Sequence, residues 1–165
     1  MSAIVVVERC RGKTARGTRC KRRTQKSGFC WTHLEKEQGL RIKKSQIPRA
    51  GDGLYTTKER ARGNNITQYT GKIVVTDANG NDVSTGRPWH SQYGLQIKQR
   101  PPTFIDARAT NSAPGRYANT ARGSGHRNNS QFVYDSRGRV ANVRATRAIP
   151  AGSEVFVPYG AGFRL

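Results

Sequence analysis

All three cysteines of the chain lie in its first 30 residues, and a histidine follows close behind the last of them. Cys10, Cys20, Cys30 and His33 form the pattern C-x9-C-x9-C-x2-H. Three thiolates and one imidazole make a complete tetrahedral ligand set for Zn²⁺, and four protein ligands leave no open position for catalysis. The spacing therefore predicts one structural zinc site. The alternative is three unrelated cysteines and a surface histidine.

The pair Cys30-x2-His33 has the spacing of two ligands at the start of a helix, which we expect to end at Gly39. Trp31, between them, could stack on a nucleic-acid base or pack against the metal core, and we expect it to pack. Residues 17–22 and 28–33 resemble a short zinc-binding module found in large DNA viruses and microbes. We assign residues 1–39 to this basic unit, called the N-terminal module below.

Residues 40–165 carry no repeat and no long helical pattern. Short apolar segments are divided by turn residues, with 18 Gly and 7 Pro in the 165-residue chain. We predict strands at residues 40–45, 66–75 (two strands around Gly71), 93–97 and 104–107, and a hairpin of 128–133 with 140–143. The predicted fold class is mostly β, with one domain at residues 40–165 beside the small module.

The formal net charge is +20, and it is uneven. Residues 1–49 hold 14 Lys and Arg against 3 Glu, an excess of 11. Such an excess favours polyanions, so we expect contact with DNA or nucleosomes through the N-terminal module. The alternative is a protein that is basic mainly for solubility or packaging. Since no apolar run approaches the roughly 18 residues of a membrane span, we expect an intracellular protein.

Four short segments of the larger domain carry the remaining chemistry. Taken singly, each fits an ordinary turn or a packed strand as well as a site. Their order and spacing along the chain make the set specific. They are Gly51-Asp52-Gly53-Leu54, Tyr69-Thr70-Gly71, Arg116-Tyr117-Ala118-Asn119 and Glu154-Val155-Phe156-Val157-Pro158-Tyr159-Gly160.

In this order the four segments resemble the motifs of the SET-domain protein lysine methyltransferases, and the likeness extends over residues 40–165. The resemblance implies a SET-domain fold of small β-sheets whose C-terminal segment is threaded in a knot-like manner. It implies methyl transfer from S-adenosylmethionine to a lysine amine, on a histone or another basic chromatin protein in the nucleus. Small viral or microbial members are the nearest type.

The resemblance also implies roles for individual residues. Tyr159 is the expected catalytic tyrosine, and Tyr69 is expected to line the lysine channel. The other expected residues bind the cofactor: Gly51, Asp52, Gly53, Arg116, Tyr117, Asn119, Thr120 and Phe163. Phe163 would cover the adenine ring, although a C-terminal residue is more often frayed.

The third motif departs from the family pattern. The usual His-Ser-Cys after the asparagine is replaced by Thr120-Ala121-Arg122, and a longer basic loop follows. No cysteine follows Tyr159, so the zinc cap that closes the lysine channel in many members is missing, and a second copy of the chain could supply that wall. Two readings therefore remain: an active methyltransferase, or a catalytically weak SET-like protein that binds nucleic acid and chromatin.

Overall fold

The computed structural model describes residues 2–134 and 137–159 in full and the backbone of residues 163 and 164. This part of the chain holds eleven short strands, one α-helix and one short 3-10 helix. In chain order the elements are β1 (Glu8–Arg9), β2 (Arg23–Thr24), α1 (Trp31–Gln38), β3 (Leu40–Lys44), β4 (Asp52–Thr56), β5 (Asn65–Tyr69), β6 (Lys72–Val75), β7 (Gly94–Gln99), β8 (Pro102–Asp106), the 3-10 helix Pro114–Tyr117, β9 (Ser130–Tyr134), β10 (Ala141–Ala145) and β11 (Phe163–Arg164).

The mostly β fold class is confirmed. A four-stranded sheet has the order β11-β7-β8-β6, and a three-stranded sheet has the order β5-β10-β9. The pairs β1-β2 and β3-β4 form two further ribbons, and all these pairings are antiparallel. The expected hairpin is β9-β10, with Ala141 opposite Tyr134. The knot-like threading stays a prediction, because residues 160–162 lie outside the described residues.

The chain changes sheets at Gly71. The strand before it, β5, pairs with β10, whereas the strand after it, β6, pairs with β8. A Cβ at Gly71 would overlap the backbone carbonyl of Asp106 and lie 2.8 Å from the amide nitrogen of Ala107. Only glycine fits so close a backbone approach, which explains the glycine of the Tyr69-Thr70-Gly71 segment.

The helix α1 begins and ends where the sequence predicts. Cys30 precedes its first residue, and Gly39 follows its last in the left-handed conformation (φ 64°) that glycine adopts readily. Leu34 of this helix is buried, and it packs in one hydrophobic cluster with Leu40, Leu54 and Val155 of the larger domain. The helix of the N-terminal module is therefore part of the main core. The domain boundary at residues 39 and 40 stays a prediction.

The first residues of the chain also attach to the larger domain. Ile4 pairs in parallel with Ala109, and the Thr110 amide donates to the Ile4 carbonyl at 2.9 Å. A second hydrophobic cluster, which includes the fully buried Ile105 and Leu95, packs against the four-stranded sheet. Among the described residues, no helix is long and apolar enough to cross a membrane.

Candidate active site and metal centre

The four predicted metal ligands come together as expected. One ligand atom from each of Cys10, Cys20, Cys30 and His33 lies within 4.8 Å of all the others, and all four residues are buried. Neighbouring ligand atoms of a tetrahedral zinc site lie about 3.3–3.8 Å apart, given bonds of about 2.0–2.3 Å. The His33 Nδ1 atom lies 3.3 Å from Cys30 Sγ and 3.5 Å from Cys10 Sγ. The cluster fits a zinc site.

The surroundings of the cluster suit a metal as well. His33 Nε2 lies 2.9 Å from the Lys13 carbonyl oxygen, to which its N–H donates, so Nδ1 is the ring nitrogen that faces the cluster. The Cys10 sulfur accepts backbone N–H groups of Gly12 and Cys30 at 3.4 and 3.2 Å. A Cβ at Gly12 would overlap the His33 ring, so glycine is required beside the imidazole.

Electrostatics within the cluster favour thiolate at Cys30. Burial raises the pKa of the Cys30 thiol, but hydrogen bonds from the backbone and ring of His33 and from the other two thiols outweigh burial and lower it to about 6. Burial raises the pKa of Cys10. Cysteine coordinates zinc as the thiolate, so the lowered pKa of Cys30 favours metal binding near neutral pH.

The expectation that Trp31 packs against the metal core is wrong. Its residue is 65% exposed, and its ring lies 6.0 Å from the Arg22 guanidinium. Leu34, one turn further along α1, is buried in the core instead. Phe29 covers the cysteines from the interior side.

Three of the four sequence motifs meet at Asn119. Its side-chain amide donates to the Asp52 carbonyl at 2.8 Å, and its own carbonyl accepts the Val157 amide at 2.9 Å. A parallel bridge joins Asn119 to Phe156. The asparagine of the third motif thus holds the first and fourth motifs side by side.

Different structural constraints favour glycine at the two glycine positions of the first motif. Gly51 has φ 73°, and nothing lies within 4 Å of the position that a Cβ would take, so its Cα faces open space. A Cβ at Gly53 would instead overlap the carboxylate of Glu154. Gly53 therefore packs against the fourth motif, while Gly51 leaves room for a ligand.

Glu154 is a buried structural carboxylate. It is 2% exposed and accepts hydrogen bonds from the Ser45 hydroxyl at 2.6 Å and the Gln46 amide at 2.8 Å. The Tyr55 hydroxyl lies 3.1 Å from Oε2, the oxygen that also accepts the Gln46 amide, and burial followed by the Glu154 charge raises the pKa of Tyr55 to about 12. These contacts fix the start of the fourth motif on β3 and β4.

A cavity of about 720 Å³, called the central cavity below, lies where the motifs meet. Six predicted site residues line it: Gly51, Asp52, Arg116, Tyr117, Asn119 and Tyr159. Ala3, Val5, Gln25 and Lys26 from the N-terminal module line it too, which the sequence did not indicate. The cavity thus has walls from both parts of the chain.

Four predicted site residues stand apart from the lining of the central cavity. Gly53 packs on Glu154, and Thr120 lines a separate, more open depression of about 380 Å³ that Tyr159 borders on its other side. Tyr69 is 1% exposed. The side chain of Phe163 lies outside the described residues, although its backbone pairs with Leu95.

The two candidate tyrosines are held by backbone carbonyls. Tyr159 donates to the Ala118 carbonyl at 2.8 Å, and Tyr69 donates to the Tyr93 carbonyl at 2.6 Å. Burial, and then the neighbouring Tyr93, raises the pKa of Tyr159 well above its usual range. Burial, and then the nearby Tyr159, raises the pKa of Tyr69. Both hydroxyls therefore stay protonated at neutral pH.

Tyr93 lies at the candidate site, although the sequence did not indicate it. It lines the central cavity, and its ring lies 4.4 Å from the guanidinium of Arg116, which also lies 4.6 Å from the Tyr117 ring. Arg116 is buried and donates to the Ala107 carbonyl at 2.7 Å, so it supports both rings from behind. Tyr93 belongs to none of the four motifs. Its place at the start of the strand predicted at residues 93–97 was the only indication of a core position.

Comparison with protein families gives a direct match for this region. Residues 51–160, two thirds of the chain, match the SET domain. The chain belongs to the SET-domain family. Residues 7–47 match a domain of unknown function (DUF5763), which covers the four metal-ligand residues. A comparison with curated protein sequences finds no match.

Solved structures with the same fold include two of Polycomb Repressive Complex 2. One is a humanized mutant of the Chaetomium thermophilum complex bound to the inhibitor GSK126, with TM-score 0.57 and 21% identity over 76% of this SET-domain chain and 15% of the other. The second is apo ctPRC2 in an autoinhibited state, with TM-score 0.60 and 21% identity over 90% of this chain and 18% of that one. This SET-domain protein therefore spans under a fifth of those chains, and the likeness concerns the fold.

Proposed function

We propose that the protein is an S-adenosylmethionine-dependent protein lysine N-methyltransferase that acts on a histone or another basic chromatin protein. The observation that carries this proposal is the convergence of Gly51, Asn119 and Tyr159 on one cavity. These residues come from three motifs far apart in the chain, and all three lie within the residues that match the SET domain.

The residues of the central cavity fit the cofactor. A volume of about 720 Å³ lies within the roughly 300–1,000 Å³ of small-molecule sites. The open space at Gly51 allows close approach of a ligand to the backbone, and Asp52 and Lys26 offer one charge of each sign. When bound, S-adenosylmethionine would supply an electrophilic methyl group.

The side chains of the cavity would orient the reacting groups and exclude water, and they would not transfer protons. Asp52 is the one carboxylate among the described lining residues, and it is paired with Lys26. The lysine substrate must therefore arrive as the neutral amine. Tyr159, protonated and held by the Ala118 carbonyl, presents a fixed hydroxyl oxygen beside the cavity. Positioning of this kind suits an in-line transfer.

The test is transfer of a radiolabelled methyl group to core histones and to nucleosomes, followed by mapping of the labelled lysine. The matched control is Tyr159→Phe, which keeps the ring and removes the hydroxyl. Label on a lysine that depends on Tyr159 supports the proposal. Absence of label on every histone, despite saturable cofactor binding, would move the search to other basic proteins.

A second candidate function is binding of nucleic acid by the N-terminal module. A groove of about 480 Å³, the Trp31 groove, is lined by both apolar and basic side chains. The apolar ones are Phe29, Trp31, Leu34 and Ile42, and the basic ones are Arg22, Arg23 and Lys26. An exposed aromatic ring among cations suits stacking on a base with phosphates alongside.

The two functions are compatible, with the groove docking the enzyme on nucleosomal DNA in the nucleus. Binding experiments distinguish the two functions. Saturable binding of S-adenosylmethionine favours the enzyme, and tight, salt-sensitive DNA binding without cofactor binding favours a catalytically weak SET-like protein. Sedimentation at several concentrations tests whether a second copy of the chain completes the site.

A further inference from the structure

The N-terminal module supplies part of the wall of the central cavity. Gln25 and Lys26, in the turn after β2, line it together with Gly51 and Tyr159. This turn lies between the metal-ligand residues Cys20 and Cys30 in the chain. A unit predicted to be an appendage therefore reaches the candidate site.

One backbone carbonyl holds this turn and the third motif together. The Thr110 carbonyl accepts the Ser27 amide at 2.9 Å and the Tyr117 hydroxyl at 2.7 Å. The Val6 amide donates to the Thr110 hydroxyl at 2.9 Å. Since Tyr117 also lines the cavity, movement of the turn would disturb the wall on both sides of Lys26.

Hydrogen bonds also connect this turn to residues of the metal cluster. The Thr24 hydroxyl closes the turn by accepting the Lys26 amide at 3.2 Å and donating to the Phe29 carbonyl at 3.0 Å. Phe29 is followed at once by Cys30, whose amide donates to the Cys10 sulfur at 3.2 Å. The Arg11 amide, beside Cys10, donates to the Gly28 carbonyl at 2.9 Å. The end of the turn is thus tied to residues at the cluster, and Thr24 at its start is tied to that end.

At the cavity, Lys26 meets the first motif. Its Nζ atom lies 2.7 Å from Asp52 Oδ2, and the two side chains are 46% and 36% exposed. A half-exposed pair of this kind contributes little to stability and can rearrange at little cost. It also offers a cation and an anion side by side, which is the complement of an α-amino acid zwitterion.

We propose that Lys26 binds the carboxylate and Asp52 the α-ammonium group of the amino-acid portion of the cofactor, so that metal loading of the N-terminal module controls cofactor affinity. This assignment rests on the proposed function of the central cavity. It makes the metal cluster a structural determinant of cofactor binding rather than a separate docking device.

The test is calorimetric titration of the full-length, zinc-loaded chain with two probes. S-adenosylhomocysteine carries the amino-acid portion, and methylthioadenosine lacks it. Lys26→Ala should weaken S-adenosylhomocysteine binding about tenfold or more, the size expected for a lost charge-assisted hydrogen bond, and leave methylthioadenosine binding unchanged. Lys21→Ala is the control, because it removes the same charge from an exposed position of the module that does not line the cavity.

Two results would overturn the assignment of Lys26. One is equal S-adenosylhomocysteine affinity for Lys26→Ala and the unmodified protein. The other is a loss of affinity in Arg49→Ala alone, since Arg49 also lines the cavity and could bind the carboxylate. Both results leave the proposed methyltransferase intact. Failure of the unmodified protein to bind either probe would instead remove the cofactor itself, and the role of Lys26 with it.

The metal arm of the test uses a chelator. Zinc removal should weaken S-adenosylhomocysteine binding by at least as much as Lys26→Ala, because the turn loses its support. In Lys26→Ala, the same treatment should have a smaller effect, since part of the interaction is already gone. If metal analysis verifies that zinc is lost and the affinity for S-adenosylhomocysteine is unchanged, metal loading does not control cofactor affinity.

Discussion

At the scale of single residues, the motif positions divide into those that face the cavity and those that hold it together. Tyr159 and Gly51 border the cavity. Gly53 and Glu154 pack on each other beneath it, and Asn119 ties three motifs together. A substitution at the first kind of residue should affect activity, and one at the second kind should affect stability.

Tyr159→Phe should lower turnover far more than cofactor affinity. The ring shape stays, but the fixed hydroxyl is lost, and removal of one preorganised hydrogen-bonding group costs on the order of a hundredfold in kcat. Single-turnover methyl transfer and calorimetry measure the two quantities. Unchanged turnover would take Tyr159 out of the mechanism.

Gly53→Ala should destabilise the fold more than Gly51→Ala. At Gly53 a methyl group would enter the space of a carboxylate that three hydrogen-bonding partners fix, and overpacking of this kind costs about 1–3 kcal/mol. At Gly51 the cost is the left-handed backbone alone, about 1–2 kcal/mol. Urea denaturation measures both. Gly51→Ala should also weaken cofactor binding, because the added methyl group would project into the open space of the cavity.

At the scale of elements, the helix α1 couples the metal cluster to the main core. Its first turn carries His33, and the next residue, Leu34, is buried among side chains from β3, β4 and β10. The helix has eight residues, too few to be stable alone in water. We therefore expect its stability to depend on metal binding at one end and on core packing along its side.

Cys20→Ser and His33→Asn should release the zinc and unfold the N-terminal module, because metal binding and folding are coupled in so small a unit. Because α1 packs in the main core, the larger domain should lose stability too. His90→Asn is the matched control, since His90 is exposed and lies outside the cluster. Metal analysis and thermal unfolding give the readouts. A larger domain that melts at an unchanged temperature without zinc would show that the two parts fold separately.

At the scale of the whole molecule, we propose that the charge excess and the SET domain serve one substrate, the nucleosome. Phosphate contacts release counterions, so affinity for duplex DNA should fall with salt with a log–log slope of about −0.9 per contact. The groove is lined by residues of the N-terminal module and by Ile42 of β3. Arg22, Arg23 and Trp31 line the groove and do not line the central cavity, so substitutions there can separate docking from catalysis.

Charge reversal at Arg22 and Arg23 should weaken nucleosome binding and spare methylation of a short free peptide. Arg19, equally basic in the sequence, is a poor target because it donates to the Cys10 and Arg9 carbonyls and supports the metal cluster. Trp31→Ala should weaken single-stranded DNA binding by about 1–3 kcal/mol, and Tyr134→Ala, another exposed aromatic, should not. If peptide and nucleosome activities fall equally, the charges support folding or the active site instead.

The sequence alone determined the features that depend on local chemistry and on ordered motifs. The ligand set Cys10, Cys20, Cys30 and His33, the bounds of α1 and the β9-β10 hairpin follow from side-chain chemistry, a C-terminal glycine and a short turn. The SET-domain assignment followed from four motifs in order, since each motif specifies a backbone conformation that the fold reuses.

Only the tertiary structure decided which distant surfaces meet. Nothing local in the sequence placed Lys26 beside Asp52, Tyr93 beside Arg116, or Leu34 in the main core, because these contacts join residues whose neighbours in the chain carry no shared pattern. The same holds for Trp31, whose direction depends on which face of a short helix the rest of the molecule buries. Packing chooses that face, and packing is a property of the folded chain as a whole.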